Sequence, residues 1–468
     1  MKTVLLIVAL CGAHTFAQPL TLDMTVFAER RTAFMNKMEP GSAAMFPCKP
    51  EYLRNGDVEY EYRQESNFYY LTGFEEPQSI LLLNPTAERY KFVLFVRDRN
   101  QAMEIWDGTR YGTEGAMRIL HADTALAYND FRSAAKQFLS KEGALYYNFN
   151  INPQLDLMIR DMFVEGSSDN RSIKNSTSLL AEMRLIKKDG DLALGLRTAV
   201  NISAQAHIEA IKSIEPGMSE MEVQAVFEYV YRKNGSPRNG YPCIIGSGPN
   251  SCILHYSQNT RAMKSGDVVL MDCAAEYGYY SADITRTVPV NGTFTKEQRV
   301  LYQIVLDAQN AAIHLVRPGV SMKLLADAID SVIGSGLVRL GFLKDKKDVN
   351  VFTLHGYSHW IGLEVHDVGS YLVEGKPRPL EEGMCFTIEP GIYVRPDAID
   401  KLKRKSYTEQ ELSQIRNRIA PYLNIGIRIE DDILVTKQGY ENMSALAPRE
   451  IREIEKLMKE KGVGNTTQ

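Results

Sequence analysis

Val268-Val269-Leu270-Met271-Asp272-Cys273-Ala274-Ala275-Glu276-Tyr277-Gly278-Tyr279-Tyr280-Ser281-Ala282-Asp283-Ile284-Thr285-Arg286-Thr287-Val288-Pro289-Val290 reads as two strands folded back on one another, each carrying one aspartate. The apolar run 268–271 leads into Asp272, a second strand-like run follows Asp283, and Tyr277-Gly278 offers the turn. A fold at Tyr277-Gly278 sets the two carboxylates directly opposite each other, roughly 5 Å apart, where like charges repel. A cation between them removes that penalty.

Three further donors lie in or beside apolar runs downstream. They are His359 in H-G-Y-S-H-W at 355–360, Glu389 in T-I-E-P-G at 387–391, and Glu430 in I-R-I-E-D-D at 427–432. Four carboxylates and one imidazole describe a hard-cation site, suited to Mn²⁺, Co²⁺, Zn²⁺ or Fe²⁺ rather than to a structural thiolate centre. The carboxylates outnumber what one ion needs, so bridging carboxylates and two ions roughly 3.5 Å apart are expected, the arrangement that activates water for hydrolysis. Any one of these residues alone reads more simply as a hairpin-end or edge residue. Their order on one chain carries the inference.

Other segments join this set: R-R-T-A-F at 30–34, P-G-S-A-A at 40–44, Y-R-Q-E-S-N-F-Y-Y-L-T-G-F at 62–74, E-I-W-D-G at 104–108, E-M-R-L-I-K at 182–187, G-S-G-P-N-S-C-I-L-H-Y at 246–256 and V-H-D-V-G at 365–369. With them the chain resembles the pita-bread metallopeptidases, and within that family the aminopeptidase P group, with prolidase as its near relative. The resemblance implies an α+β pita-bread catalytic domain of pseudo-twofold symmetry at 175–462, preceded by a smaller α/β domain at 19–174. It implies that Asp272 chelates one ion, that Asp283 and Glu430 bridge, and that His359 and Glu389 complete the second, with Mn²⁺ as the metal. It further implies hydrolysis of the bond between an N-terminal residue and a following proline, by a dimer or tetramer.

His255 and His366 fall inside these motifs, and each reads as a donor to the scissile carbonyl and its oxyanion, or else as support behind a metal ligand. Glu389 is expected to accept a proton from the attacking water. The resemblance gives His355 a part in shaping the proline pocket or binding the product carboxylate. Arg428 lies two residues before Glu430 on the same strand face, where it can hold substrate oxygens or tether a metal ligand. Tyr393 and Trp106 are candidate pocket walls, Trp106 through the family's habit of reaching into a neighbouring subunit. His121, His207 and His314 read as ordinary surface or core residues. An Xaa-Pro bond has no N–H to donate, so a pocket for the proline ring supplies recognition.

Prolidase uses the same metals but acts on Xaa-Pro dipeptides, and it stands as the alternative. A binding-only pita-bread module would have lost ligands, and a creatinase-like amidinohydrolase lacks this carboxylate set. G-S-G at 246–248 lacks the third glycine and acidic partner of a nucleotide loop. The chain has no G-x-S-x-G, and none of its cysteines lies in a peptidase nucleophile motif.

The 468 residues and net charge of −4 fit a globular chain of two or three domains with no basic footprint for nucleic acid. Residues 1–17 read as a secretory signal, with Met1-Lys2 before a short apolar run and Thr15-Phe16-Ala17 as the cleavage site. The expectation is an exported protein, periplasmic or secreted if the source is bacterial, without a membrane anchor. Cys48, Cys243, Cys252, Cys273 and Cys385 contain no C-x-x-C, and buried thiols are expected for Cys273 and Cys385. Periodicity predicts helices over 25–38, 192–214, 221–234, 296–316 and 322–340, strands over 79–83 and 91–96, and a linker over 166–178. The charged stretch 396–421, with a helix over 408–419, reads as a solvated surface insertion.

Overall fold

The computed structural model describes residues 23–140, 142–163 and 171–465, so the expected signal at 1–17 lies outside the described residues. The first block builds a six-stranded mixed sheet in the order Thr124–Ala127, Phe92–Val96, Ile80–Leu83, Ala43–Pro47, Leu145–Tyr147, Ile173–Lys174. Its central strands are apolar at every position and buried on both faces, as a sheet covered by helices requires. The edge strand Ile173–Lys174 falls within the stretch read as a linker, and a helix, Thr177–Leu185, begins directly after it.

The second block has two halves, each a helix pair followed by antiparallel strands. Arg197–Ser213 packs on Glu220–Lys233 in the first half, and Lys296–Ile313 packs on Met322–Leu340 in the second. Polar N-caps Ser219, Thr295 and Ser321 start three of these helices, each accepting a backbone N–H, and Gly341 in the left-handed region ends one. Ahead of Arg197 the helix widens into a π turn over Leu192–Leu196. A Cβ on Gly195 there would lie 2.2 Å from the Tyr277 carbonyl oxygen, so only glycine lets this turn meet the hairpin.

The hairpin read from the sequence exists, with its register displaced. Val268 pairs with Pro289 and Asp272 with Thr285, while nearer the tip Glu276 pairs with Ser281 and Tyr277 with Tyr280. The turn is therefore Gly278-Tyr279, both at positive φ, one residue beyond the expected Tyr277-Gly278. Asp283 consequently lies two positions nearer the tip than the residue facing Asp272. A two-residue shift preserves strand parity, so both aspartates still project to one face. In the second half, Cys385–Ile388 pairs with Asp431–Thr436 and Gly391–Tyr393 pairs with Gly426–Arg428 in a single continuous register. That register sets Glu389 directly across from Glu430, the relation expected of the aspartates.

Both hairpins break where the acidic residues sit. The Asp283 amide leaves the ladder to donate to Asp432 Oδ2 at 3.1 Å, the Glu430 amide to the Thr285 carbonyl at 3.1 Å, and the Glu389 amide to the Tyr357 carbonyl at 3.0 Å. Thr285 bridges to Glu430, which joins the two hairpins edge to edge. Arg286 completes the junction with a buried ion pair to Asp431 at 2.6 Å and a bond to the Glu430 carbonyl at 2.7 Å.

The tip of the first hairpin is gripped by the first block. Tyr279 stacks on Tyr69 with ring centroids 3.8 Å apart, and Arg63 donates to Glu276 at 2.6 Å. Arg30 reaches Asp191 at 2.7 Å and the Tyr280 hydroxyl at 2.8 Å. One apolar cluster, including Phe27, Phe68, Tyr69, Tyr279, Tyr280, Ile284 and Leu363, spans both blocks.

The charged stretch 396–421 is folded down rather than simply solvated. Its helices Ala398–Lys403 and Glu409–Ile419 bury Leu402, Leu412 and Ile419, and Lys405 and Tyr407 both hold Asp348. All five cysteines of the described residues are buried free thiols. No helix among the described residues is long and apolar enough to cross a membrane.

Candidate metal centre

The breaks in the two hairpins place their acidic side chains around one space. His359, presented by a loop whose amide donates to Thr387 Oγ1, sets Nε2 3.3 Å from Asp283, 3.5 Å from Glu389 and 3.9 Å from Glu430. Donor atoms of Asp283, His359 and Glu430 all lie within 4.8 Å of one another. Asp272 completes the group through Tyr241, whose hydroxyl is 2.6 Å from Asp272 Oδ1 and 2.6 Å from Asp283 Oδ1.

The electrostatics state what the group lacks. Burial, and then the neighbouring Asp272, push Asp283 up to about 6. Burial and Asp283 likewise raise Glu430 well above the usual carboxylate range. His359 stands at about 9, because Asp283 and Glu389 outweigh the burial that would lower it. Burial would also raise Glu389, but His355 and His359 hold it below the ordinary value. Four clustered carboxylates with Arg428 donating to one of them want more positive charge, and the oxygen-rich set fits a divalent cation.

Several partners fix these side chains. Arg428 donates to Asp272 at 2.5 Å, to the Tyr393 hydroxyl at 2.7 Å and to Thr285 Oγ1 at 3.2 Å, so it tethers a candidate ligand while also bordering the cavity. Thr285 donates to Glu430 at 2.6 Å and Thr387 to Glu389 at 3.2 Å. Buried Asp432 accepts the Asp283 amide and is itself pushed up by burial and by Asp283.

A cavity of about 310 Å³ opens over the donors, bordered by His255, His355, His366, Ser358 and Arg428. A second, of about 270 Å³, shares His255, His366, Asp272 and Asp283 and is walled by Tyr241, Pro242, Ile244 and Val365. His366 packs edge-on against His359 at 4.2 Å, and burial and His359 lower its basicity. His355 lies 3.3 Å from Glu389, with Nε2 2.7 Å from the Tyr393 hydroxyl.

The two candidate pocket walls lie in different places, Tyr393 behind the cavity and Trp106 on the outer surface of its own chain. Tyr393 is fully buried behind His355 and Arg428, where its hydroxyl aligns both. Trp106 is 85% exposed on the helix Gln101–Asp107 and borders neither cavity. His121 and His314 are exposed and His207 is buried. Tyr241 was not singled out from the sequence, because a lone tyrosine before a strand carries no spacing signal. Asp367 was missed as well: beside His366, it is fully buried between Arg184 and Lys187, the basic residues of the 182–187 segment.

Two helix-and-hairpin halves converging on carboxylates and imidazoles beneath an open cavity define a metal-dependent hydrolase of pita-bread architecture. The chain matches metallopeptidase family M24 over residues 195–437 and the aminopeptidase P N-terminal domain over residues 27–146. It belongs to metallopeptidase family M24. Xaa-Pro aminopeptidase of Escherichia coli is 39% identical over 447 residues, covering 92% of this chain and 97% of that protein. Xaa-Pro aminopeptidase of Haemophilus influenzae is 38% identical over 439 residues, covering 92% and 96%. Among solved structures, Pseudomonas aeruginosa aminopeptidase PepP superposes with a TM-score of 0.87 at 37% identity, covering 94% of this chain and 99% of that one. A variant of Escherichia coli aminopeptidase P in complex with substrate superposes at 0.84 and 38% identity, covering 93% and 98%.

Proposed function

We propose that this chain is an Xaa-Pro aminopeptidase, releasing the first residue from peptides that carry proline second and extend beyond two residues. The observation that carries the reading is the convergence of Asp272, Asp283, His359, Glu389 and Glu430 beneath two cavities that share His255 and His366. The named relatives support it at near-full coverage of both chains. Two divalent ions per subunit, Mn²⁺ foremost, suit this donor set, and when bound they acidify water and polarise a carbonyl.

The chain's own residues supply the rest. Glu389, which His355 and His359 hold below the ordinary carboxylate range against its burial, accepts the proton of the attacking water. His255 and His366 face the shared rim of the cavities, where imidazole N–H groups donate to the developing oxyanion. Arg428 keeps Asp272 in place, and Asp272 and Asp283 accept from the substrate's free ammonium. The 310 Å³ cavity beside His355 suits the proline ring, and the other suits the side chain of the first residue. The apolar run behind Met1-Lys2 supports export with loss of residues 1–17, and the exposed Trp106 supports association as a dimer or tetramer.

The test uses protein of defined metal content with Ala-Pro-Ala, Ala-Pro and Ala-Ala-Ala. Expected are release of alanine from Ala-Pro-Ala, stimulation by Mn²⁺, loss with a chelator, and little turnover of the other two. Cleavage confined to Ala-Pro would move the assignment to prolidase.

A further inference from the structure

His255 has no hydrogen-bonding partner of its own among the described residues and stands exposed at the cavity rim. Its orientation must therefore come from its backbone, and the backbone from 247 to 261 converges on one fully buried carboxylate, Glu220, in the first turn of Glu220–Lys233. Oε1 accepts from the Ser247 amide at 2.8 Å, Ser247 Oγ at 2.7 Å and Asn250 Nδ2 at 3.1 Å. Oε2 accepts from the Tyr256 hydroxyl at 3.0 Å and the Arg261 amide at 2.9 Å. Tyr256 is the residue next to His255, and the other donors lie at both ends of the same loop.

A second surface closes on the loop from the opposite side. Ser251 Oγ accepts the Gly426 amide at 2.9 Å, and a Cβ at position 426 would lie 2.1 Å from the Ser251 carbonyl. The strand Gly426–Arg428 that presses here also carries Arg428, whose Nη2 reaches the Leu254 carbonyl at 3.5 Å. The loop is thus wedged between Glu220 and the strand that tethers Asp272. A carboxylate taken out of water is held by hydrogen bonds to its full capacity, and five donors from one segment fix that segment as a unit. Ser219 and Glu222 cap the same helix without Glu220, so capping does not account for it.

We infer that Glu220 is a positioning residue for His255, holding the loop that aims this imidazole at the reacting carbonyl. The inference rests on the proposed function for the role of His255, and the test separates the two. Glu220→Gln keeps the shape but replaces one acceptor oxygen with a donor that faces donors. Tyr256→Phe removes a single bond beside His255 and serves where the first variant folds poorly.

Expected for Glu220→Gln is a kcat lower by about tenfold or more with KM and metal content near wild type, a size set by misplacement of one catalytic donor. In a His255→Ala background the same substitution should cost nothing further, because the two act as one unit. Tyr256→Phe should show a smaller loss with the same non-additivity. Losses that multiply in the double variant, or a wild-type kcat in both single variants, overturn the inference. Amide hydrogen exchange over 247–261 reads the link without activity: faster exchange in Glu220→Gln supports it, and unchanged exchange overturns it while leaving the proposed function standing. Failure of the wild type to cleave Ala-Pro-Ala sinks the functional reading instead.

Discussion

Asp283 concentrates the conflict on which the site depends. It is buried beside Asp272, Glu430 and Asp432, and His359 and the Tyr241 hydroxyl relieve it. Asp283→Asn keeps the shape and removes one charge, so the metal-free variant should be at least as stable as metal-free wild type near neutral pH. With Mn²⁺ at a hundred times its dissociation constant, wild type should gain about 2.7 kcal/mol and the variant far less. Thermal melts of both proteins with and without Mn²⁺ check this, and a clearly weaker metal-free variant would give Asp283 a structural role that outweighs repulsion. The five donors were legible in the sequence as a set, because their motifs follow in one order on one chain, although each alone has a plainer explanation. Tyr241 and Glu220 were not, since a tyrosine in a loop and a glutamate in the first turn of a helix each have an ordinary explanation.

The hairpin is the element whose register the sequence left open. A turn at Tyr277-Gly278 and one at Gly278-Tyr279 both use the glycine, and the actual choice puts Tyr279 at positive φ, which no propensity rule favours for an aromatic residue. The outcome goes with a tertiary contact: this turn sets Tyr279 stacked on Tyr69. Long helices such as Met322–Leu340 were read closely because their apolar period and caps are local, whereas hairpin pairing waits on the other block. Behind the hairpin, His207 Nε2 lies 3.1 Å from the Cys273 carbonyl and 3.0 Å from that of Ile284, one imidazole N–H shared across both strands beside the aspartates. Burial, and then Arg286, push this imidazole down to about 3, so it stays neutral in the fold while the unfolded chain takes up a proton below about 6.5. Its contribution is therefore present above pH 6.5 and lost as pH falls from there toward 3, with a slope approaching about 1.4 kcal/mol per pH unit. His207→Gln retains an N–H donor without the titration. Urea unfolding of metal-free protein at pH 7 and pH 5 should show a smaller acid loss in the variant, and equal losses would remove His207 from the acid limb.

Across the whole molecule, Phe27, Phe68 and Tyr69 share one apolar cluster with Tyr279, Tyr280 and Leu363, so the two blocks are expected to unfold as one cooperative body. Calorimetry of the metal-free protein should give a single transition whose van't Hoff and calorimetric enthalpies agree, and two resolved transitions would show that the shared core does not couple them. Composition and element order allowed two domains to be drawn, but they gave no sign of how deeply one reaches into the other, because Tyr69 and Arg63 read as ordinary residues of their own segments. The grip on the hairpin tip also has a consequence for ancestry. A chimaera that joins the first block of a diverged relative to the second block of this chain would inherit a socket shaped for another tip. Modularity is thus confined to exchanges in which Arg63 and Tyr69 travel with a partner for Glu276 and Tyr279, and lineages should pass the two halves on together.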